Sequence, residues 1–367
     1  MKTKKIIVVT VVVVVIIGII YSFSRSNSTV NNSGPIQVAY ISAMTGDAGV
    51  WGQSLKKGFD FALNEINRNG GINGRQIQPL YEDDQCNPAT GVSVFNQVLV
   101  IDKVKIITGT VCSSVAMSVA KTTQANGVLY MASGATDPAV TQQGDLIFRP
   151  YVSDDYEAKA IAQYAIQALK AKTFGLAYVN DNPAGPALGT VFASTVNSLG
   201  ATVVDTEQYL STERDFKTYL TKLISTKPDA LYLMALPQQT PAIINQARTL
   251  GYKGIILGYS PSLTSQGTVA QIKDKSNIYY STPVNQQTTS FWSDYKAETG
   301  QDADQFIALG YDSLKLIAAG LNTCGEDNQC IAKYLLNMKD YQSARGILNF
   351  DSGRNLTGVQ FDTKSLQ

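Results

Sequence analysis

VKIITGTVCSS, residues 104–114, decides how the rest of the chain is read. A β-branched run, 104–108, breaks at Gly109 into a loop of small polar residues, and a helical stretch follows at 115–126. A doubly wound sheet holds ligands outside the carboxyl ends of its strands, close to helix N-termini. The loop 109–114 is therefore the first candidate binding rim, with backbone amides and the hydroxyls of Ser113 and Ser114 to offer.

Outward from this stretch, strand-like and helix-like segments alternate. Upstream, a strand at 36–41 leads into a helix on which Leu55, Phe59, Ala62, Leu63 and Ile66 recur at helical spacing, ending at Asn69-Gly70-Gly71. A strand at 76–81 follows, then a helix at 89–101 that opens on Asn87-Pro88, where proline costs no amide donor. Downstream of the helix at 115–126 lies a strand at 128–132. This βαβαβαβ progression predicts a parallel sheet covered on both faces. After Arg149-Pro150 the pattern repeats, with helices at 154–171, 185–199, 215–226 and 240–250 and strands at 173–179, 202–209, 230–234 and 255–257. The tail differs: helices at 288–299, 303–320 and 329–338 precede strand-like pieces near Ile347 and Val359. Two α/β lobes suit a chain of 367 residues that is 44% hydrophobic. No low-complexity linker separates the halves, so the crossings between them belong to the fold.

Thirty basic residues stand against 29 acidic ones, so no global field favours nucleic acid. The absence of histidine removes Ser/His/Asp and Cys/His catalysis and His-ligated metals together. A serine nucleophile at Ser113 or Ser114 lacks its usual base, and the adjacent acids Asp83 and Asp84 would point to opposite faces of a strand. An enzyme is disfavoured.

Residues 1–34 stand apart. Lys2, Lys4 and Lys5 precede an uncharged apolar run at 6–20, extended through 21–23, and a Ser/Asn-rich segment closes the stretch at 24–34. The lysines place its N-terminus in the cytoplasm, and the run reads as a membrane anchor through residues 6–23 or as a secretion signal. Ser22-Phe23-Ser24 is the small-x-small cleavage candidate, and no cysteine follows the run to carry a lipid. Either way the remainder is delivered outside the cytoplasm. On an exported chain, the even set Cys86, Cys112, Cys324 and Cys330 predicts disulfides. Three pairings are open. Cys324 with Cys330 would close a small loop and leave Cys86 with Cys112, while the lack of any CxxC spacing argues against a four-thiolate zinc site.

Five motifs then combine in order: ISAMTG at 41–46, EINRNGGINGR at 65–75, EDDQCNP at 82–88, GTVCSS at 109–114 and SGATDPAVT at 133–141. Together they resemble the leucine/isoleucine/valine-binding protein family, the extracytoplasmic substrate-binding components of ABC importers for amino acids and amides. Weaker matches run through PDALYL at 228–233 and QARTLGY at 246–252 to ALGYDSLK at 308–315. The resemblance implies a type I periplasmic-binding-protein fold of two Rossmann-like lobes joined by three hinge crossings. Lobe one would hold residues 36–152 plus 284–342, and lobe two 153–283 plus 343–367. It also implies a Cys86–Cys112 disulfide, an ABC permease as partner, a small-molecule ligand and no cofactor. Ser113, Ala135 and Thr136 fall on carboxylate-recognising positions, and Trp51 and Phe306 on walls of the side-chain pocket.

Lobe two departs from the family. Ser260 stands where amino-acid-binding members carry the acid that pairs with the ligand ammonium, and Ala184 stands where they carry a tyrosine. Burying an unpaired ammonium costs several kcal/mol. An amide, a urea-like molecule or a small organic acid without an α-ammonium is therefore expected, with Asp181 as the substitute carboxylate should an ammonium be present. The alternative function is a membrane-anchored sensor built on the same two-lobed module.

Overall fold

The computed structural model describes residues 34–284 and 289–366. The leader expected in residues 1–34 therefore falls, apart from Gly34, outside the described residues, as does the expected helix start at residue 288. Among the described residues no helix is long and apolar enough to cross a membrane.

The first half runs β1 (Ile36–Ser42), α1 (Gly49–Arg68), β2 (Ile77–Asp83), α2 (Pro88–Asn96), β3 (Ile106–Gly109), α3 (Ser113–Ala125), β4 (Leu129–Ala132) and β5 (Ile147–Phe148). Its five strands are parallel in the order β2-β1-β3-β4-β5. β1 is buried everywhere except Gln37, and β3 and β4 throughout. Near-continuous apolar strands are what a parallel sheet with helices on both faces requires. In register, Ile41 is level with Gly109 and Gly109 with Ala132. The loops leaving β1, β3 and β4 thus share one rim at the carboxyl edge.

The second half follows with α4 (Asp154–Gln167), β6 (Thr173–Val179), α5 (Ala184–Ser198), β7 (Thr202–Tyr209), α6 (Lys217–Ser225), β8 (Ala230–Met234), α7 (Thr240–Thr249), β9 (Ile255–Gly258), the short helices α8 (Ser260–Leu263) and α9 (Gln266–Val269), and β10 (Ile278–Pro283). The chain then returns to α10 (Phe291–Thr299), α11 (Gln305–Cys324) and α12 (Asn328–Asn337). It ends in β11 (Tyr341–Ser343), β12 (Gly346–Phe350), β13 (Leu356–Thr357) and β14 (Phe361–Ser365). The second sheet has the order β14-β10-β9-β8-β6-β7, parallel except for β14 against β10. The path between the two sheets is crossed three times: after β5, after β10 and before β14. This is the mixed α/β architecture of two sheet-centred halves and three crossings that the resemblance implies.

α11 packs on α1 and returns the tail to the first half. Tyr311 and Lys315 both reach Glu65, at 2.7 and 2.8 Å. The helix runs four residues beyond the Gly320 end expected from the sequence, because a side chain at 320 would collide with Ile331 of α12 and glycine lets the two helices close. β10 carries no clear pattern of its own and is held between β9 and the antiparallel β14, distant in the chain, whereas β12 of the locally paired β11-β12-β13 ribbon contains the strand-like piece expected near Ile347. The expected break between residues 342 and 343 falls inside β11. The ribbon docks on the first crossing, with Phe350 edge-on to Phe148 at 5.3 Å and Asn355 Oδ1 accepting from Arg149. Cys86 pairs with Cys112 and Cys324 with Cys330.

Candidate functional site

The rim above β3 is built around Gly109. Its φ is +114°, and a Cβ there would stand 2.3 Å from the Ile41 carbonyl oxygen, so β3 ends this close to β1 only with glycine. The Thr110 amide then donates to that oxygen at 2.6 Å, and Ser133 Oγ bonds Thr108 Oγ1 at 2.9 Å. The Cys86–Cys112 bridge ties the loop to the turn after β2. Asp84 lies within that turn, with one carboxyl oxygen accepting from the Cys86 amide at 2.8 Å and the other buried without a partner. Burial pushes its carboxyl up to about 7 against the pull of the Cys86 amide, and the neighbouring Asp83 adds to the rise. Asp83 itself faces the other way, taking the Met44 amide and the Thr45 hydroxyl.

These restraints place the first residues of α3. Cys112 provides no side-chain cap, so the first-turn amides are left for another acceptor. Ser113 is buried, and its Oγ accepts the amides of Thr136 and Asp137, both at 3.2 Å. A hydroxyl that accepts two N–H bonds keeps its own hydrogen to donate, which suits an anionic oxygen. Behind the loop, the fully buried Arg149 donates from Nη1 to the carbonyls of Ala135 and Thr136 and from Nε and Nη2 to Asn355 Oδ1. The loop 133–137 is thus held between Ser113 and a guanidinium. Ser114, the next residue of the same helix turn, is half-buried.

Aromatic rings from both halves meet one another. Trp51, in the first turn of α1, stacks on Phe306 at 5.9 Å, and Phe306 stacks on Tyr151 at 6.0 Å. Tyr259, which follows β9 in the second half, meets Trp51 edge-on at 6.2 Å. Trp51 Nε1 donates to the Pro261 carbonyl at 2.8 Å, a bond that spans the gap between the halves. Nearer the mouth, Arg214 reaches the Asp47 carboxylate at 2.6 Å and Gln238 reaches the Gly46 carbonyl at 2.9 Å. The molecule is therefore in a closed form.

On the second half, Ser260 is buried beside this wall; its amide donates to Glu157 Oε1 at 2.6 Å, and its Oγ has no partner. Ala184 is buried at the start of α5. Asp181 is exposed, and Ser211 occupies both its carboxylate oxygens, at 2.9 and 2.8 Å. Hydrogen bonds thus bring Ser113 and Thr136 together, stacking joins Trp51 to Phe306, and Ser260 adjoins Trp51 through Tyr259 and Pro261, whereas Asp181 is spent on a turn. Sequence reasoning missed Arg149, Tyr151, Tyr259 and Glu157. The Arg149-Pro150-Tyr151 step was legible only as a junction, and a glutamate in a helix reads as a solvated face. Among the described residues no group of three or more acidic or cysteine side chains is placed to hold a metal ion.

A family model described as periplasmic binding protein matches residues 35–360. The chain is similar to a Leu/Ile/Val-binding protein homolog from Brucella melitensis, with 29% identity over 334 residues, 89% of this chain and 90% of the relative. Among solved structures it is similar to a branched-chain amino acid transporter substrate-binding protein, LivJ, from Streptococcus pneumoniae in complex with isoleucine. That match has a TM-score of 0.81 and 24% identity and covers 90% of this chain and all of the other. A solute-binding protein of an ABC transporter from R. palustris in complex with benzoate matches with a TM-score of 0.83 and 19% identity, over 91% of this chain and 94% of that one.

Proposed function

Because the chain belongs to the periplasmic binding protein family, we propose that it is the extracytoplasmic substrate-binding component of an ABC importer, closing two lobes around a small carboxylate-bearing solute and delivering it to a permease. The moving parts are the two sheet-centred halves, lobe one from 36–152 with 284–342 and lobe two from 153–283 with 343–367, and the β11–β13 ribbon across the 342/343 boundary serves as the joint. One observation carries the reading: Trp51 Nε1, from the first half, closes on the Pro261 carbonyl of the second. A ligand that touches both halves only when they meet shifts the population toward the closed form.

The carboxylate end rests on Ser113 Oγ and the open amides at the start of α3, with the Arg149 guanidinium behind the loop lending positive potential without direct contact. Trp51, Phe306, Tyr151 and Tyr259 wall the remainder of the solute. The relatives' ligands, isoleucine in one case and benzoate in the other, share a carboxylate and an apolar body, which fits this division.

A thermal-shift screen of the full chain against amino acids, amides and small organic acids tests the reading, since a ligand of the native state raises the melting temperature by mass action. A carboxylate is expected to raise it, and a panel that leaves it unmoved counts against the proposal. For the binding carboxylate, Ser113→Ala is expected to lower affinity by about 1–3 kcal/mol in calorimetry, the loss of a hydrogen bond to a charged group. Equal affinity in the variant would remove Ser113 from the site.

A further inference from the structure

The far end of the aromatic stack is anchored in a crossing. Trp51 lies on Phe306 with ring planes 18° apart, and Phe306 lies on Tyr151 at 25°. Tyr151 comes three residues after β5, on the first crossing between the sheets, and is 1% exposed. A buried phenol takes a polar partner. Gln305 serves here, its Nε2 donating to the Tyr151 hydroxyl at 2.6 Å.

The same amide reaches the second sheet. Gln305 Oε1 accepts the Thr282 hydroxyl at 3.0 Å, and Thr282 is the last residue but one of β10, where the chain enters the second crossing. Both bonds are buried. The backbone that carries the amide is fixed to the first half. Gln305 opens α11, whose N-cap Asp304 accepts the Ile307 amide on one carboxylate oxygen and the Ser54 hydroxyl of α1 on the other, each at 2.8 Å. From this base, one side chain spends its oxygen on β10 and its nitrogen on the first crossing. Hydrogen bonds weaken steeply outside a narrow range of length and angle, so both persist at one spacing of the two segments.

We propose that Gln305 is a positioning residue for the solute pocket, coupling the second crossing to the aromatic wall so that the Tyr151–Phe306–Trp51 stack is ordered when β10 stands in its closed-form place. Trp51 is then held from two sides, at its nitrogen by the Pro261 carbonyl and through its stacked neighbours by Gln305. Gln305 acts through Tyr151 and needs no contact with the solute. The inference rests on the reading above that these rings wall a solute.

The test needs no ligand. The chain has two tryptophans, Trp51 and Trp292, so Trp292→Phe leaves Trp51 as the reporter of the stack. Near-ultraviolet circular dichroism follows ring order and acrylamide quenching follows the shielding of Trp51, which is 4% exposed in the closed form. In this background Gln305→Leu removes both polar atoms, and the quenching constant of the native protein is expected to rise about twofold or more. Thr282→Val deletes a hydroxyl that bonds Gln305 and not a ring, and is expected to have the same effect. Thr282→Ser keeps the hydroxyl and is expected to match the parent. The variant carrying both Gln305→Leu and Thr282→Val is expected to exceed neither single one, because both cut one path. A purely structural role would lower the urea midpoint and leave Trp51 of the remaining native protein as shielded as in the parent. That outcome, or Thr282→Val and Thr282→Ser behaving alike, overturns the coupling. Should Gln305→Leu fail to fold, the two Thr282 variants decide the matter; should Trp292→Phe fail, circular dichroism on the natural pair of tryptophans makes the same comparison. The thermal-shift panel judges the solute separately: loosened variants with no ligand in the panel keep the coupling and remove the solute, and a ligand with no loosening does the reverse.

Discussion

Replacing Asp84 with asparagine is expected to stabilise the protein at pH 8 and to leave its stability nearly unchanged at pH 4. The carboxyl is fully buried, with one oxygen on the Cys86 amide at 2.8 Å and the other without a partner. Burial raises it from the ordinary 3.8 to about 7, the Cys86 amide opposing and Asp83 assisting. A carboxyl raised by folding is held more tightly protonated in the native state. Its contribution to stability is complete below about 3.8 and is lost as pH rises through about 7. At about 1.4 kcal/mol for each pH unit the ceiling is about 4 kcal/mol, and relaxation around the ionised group brings the observable effect to about 1–3 kcal/mol. Asparagine is neutral throughout, keeps an oxygen for the Cys86 amide and fills the same volume. Urea midpoints of both proteins from pH 4 to pH 8 measure the effect, and every other titrating group cancels in the comparison as long as it acts independently. A variant less stable than the wild type at pH 8, or a gap that does not narrow on acidification, would refute the argument.

The contact between α1 and α11 depends on small residues. Gly310→Ala would put a methyl 1.9 Å from the Leu55 carbonyl oxygen, a backbone atom that cannot turn aside. The expected loss is about 1–3 kcal/mol or more in urea denaturation, against no loss for Gly267→Ala, which meets nothing within 4 Å; equal midpoints would show the helices are free to separate. Trp51→Phe keeps a ring on Phe306 and deletes the donor to Pro261. Ligand affinity is expected to fall by about 1–3 kcal/mol, because a carbonyl buried in the closed form is left unpaired, while the melting temperature of the unliganded protein moves little. Unchanged affinity would show that closure does not rely on this bond.

The alternation of short apolar strands with periodic helices was enough to read the two α/β halves, because each segment advertises its own repeat and a parallel sheet needs no local pairing signal. The position of the candidate rim is legible in the same way. Ser113 lies on one contiguous loop and Ala135 with Thr136 on another, both at strand ends whose position follows from the βα pattern. What escaped was what distant partners decide. β10 becomes a strand between β9 and the distant antiparallel β14, and α11 continues past Gly320 because α12 packs there. Glu157, Tyr151 and Tyr259 look like a helix-surface acid and two ordinary aromatics until the halves close on Trp51. Sequence periodicity records which face of an element turns inward. Which inward residues meet across a gap depends on how two separately folded sheets come together, and only the tertiary structure holds that distance.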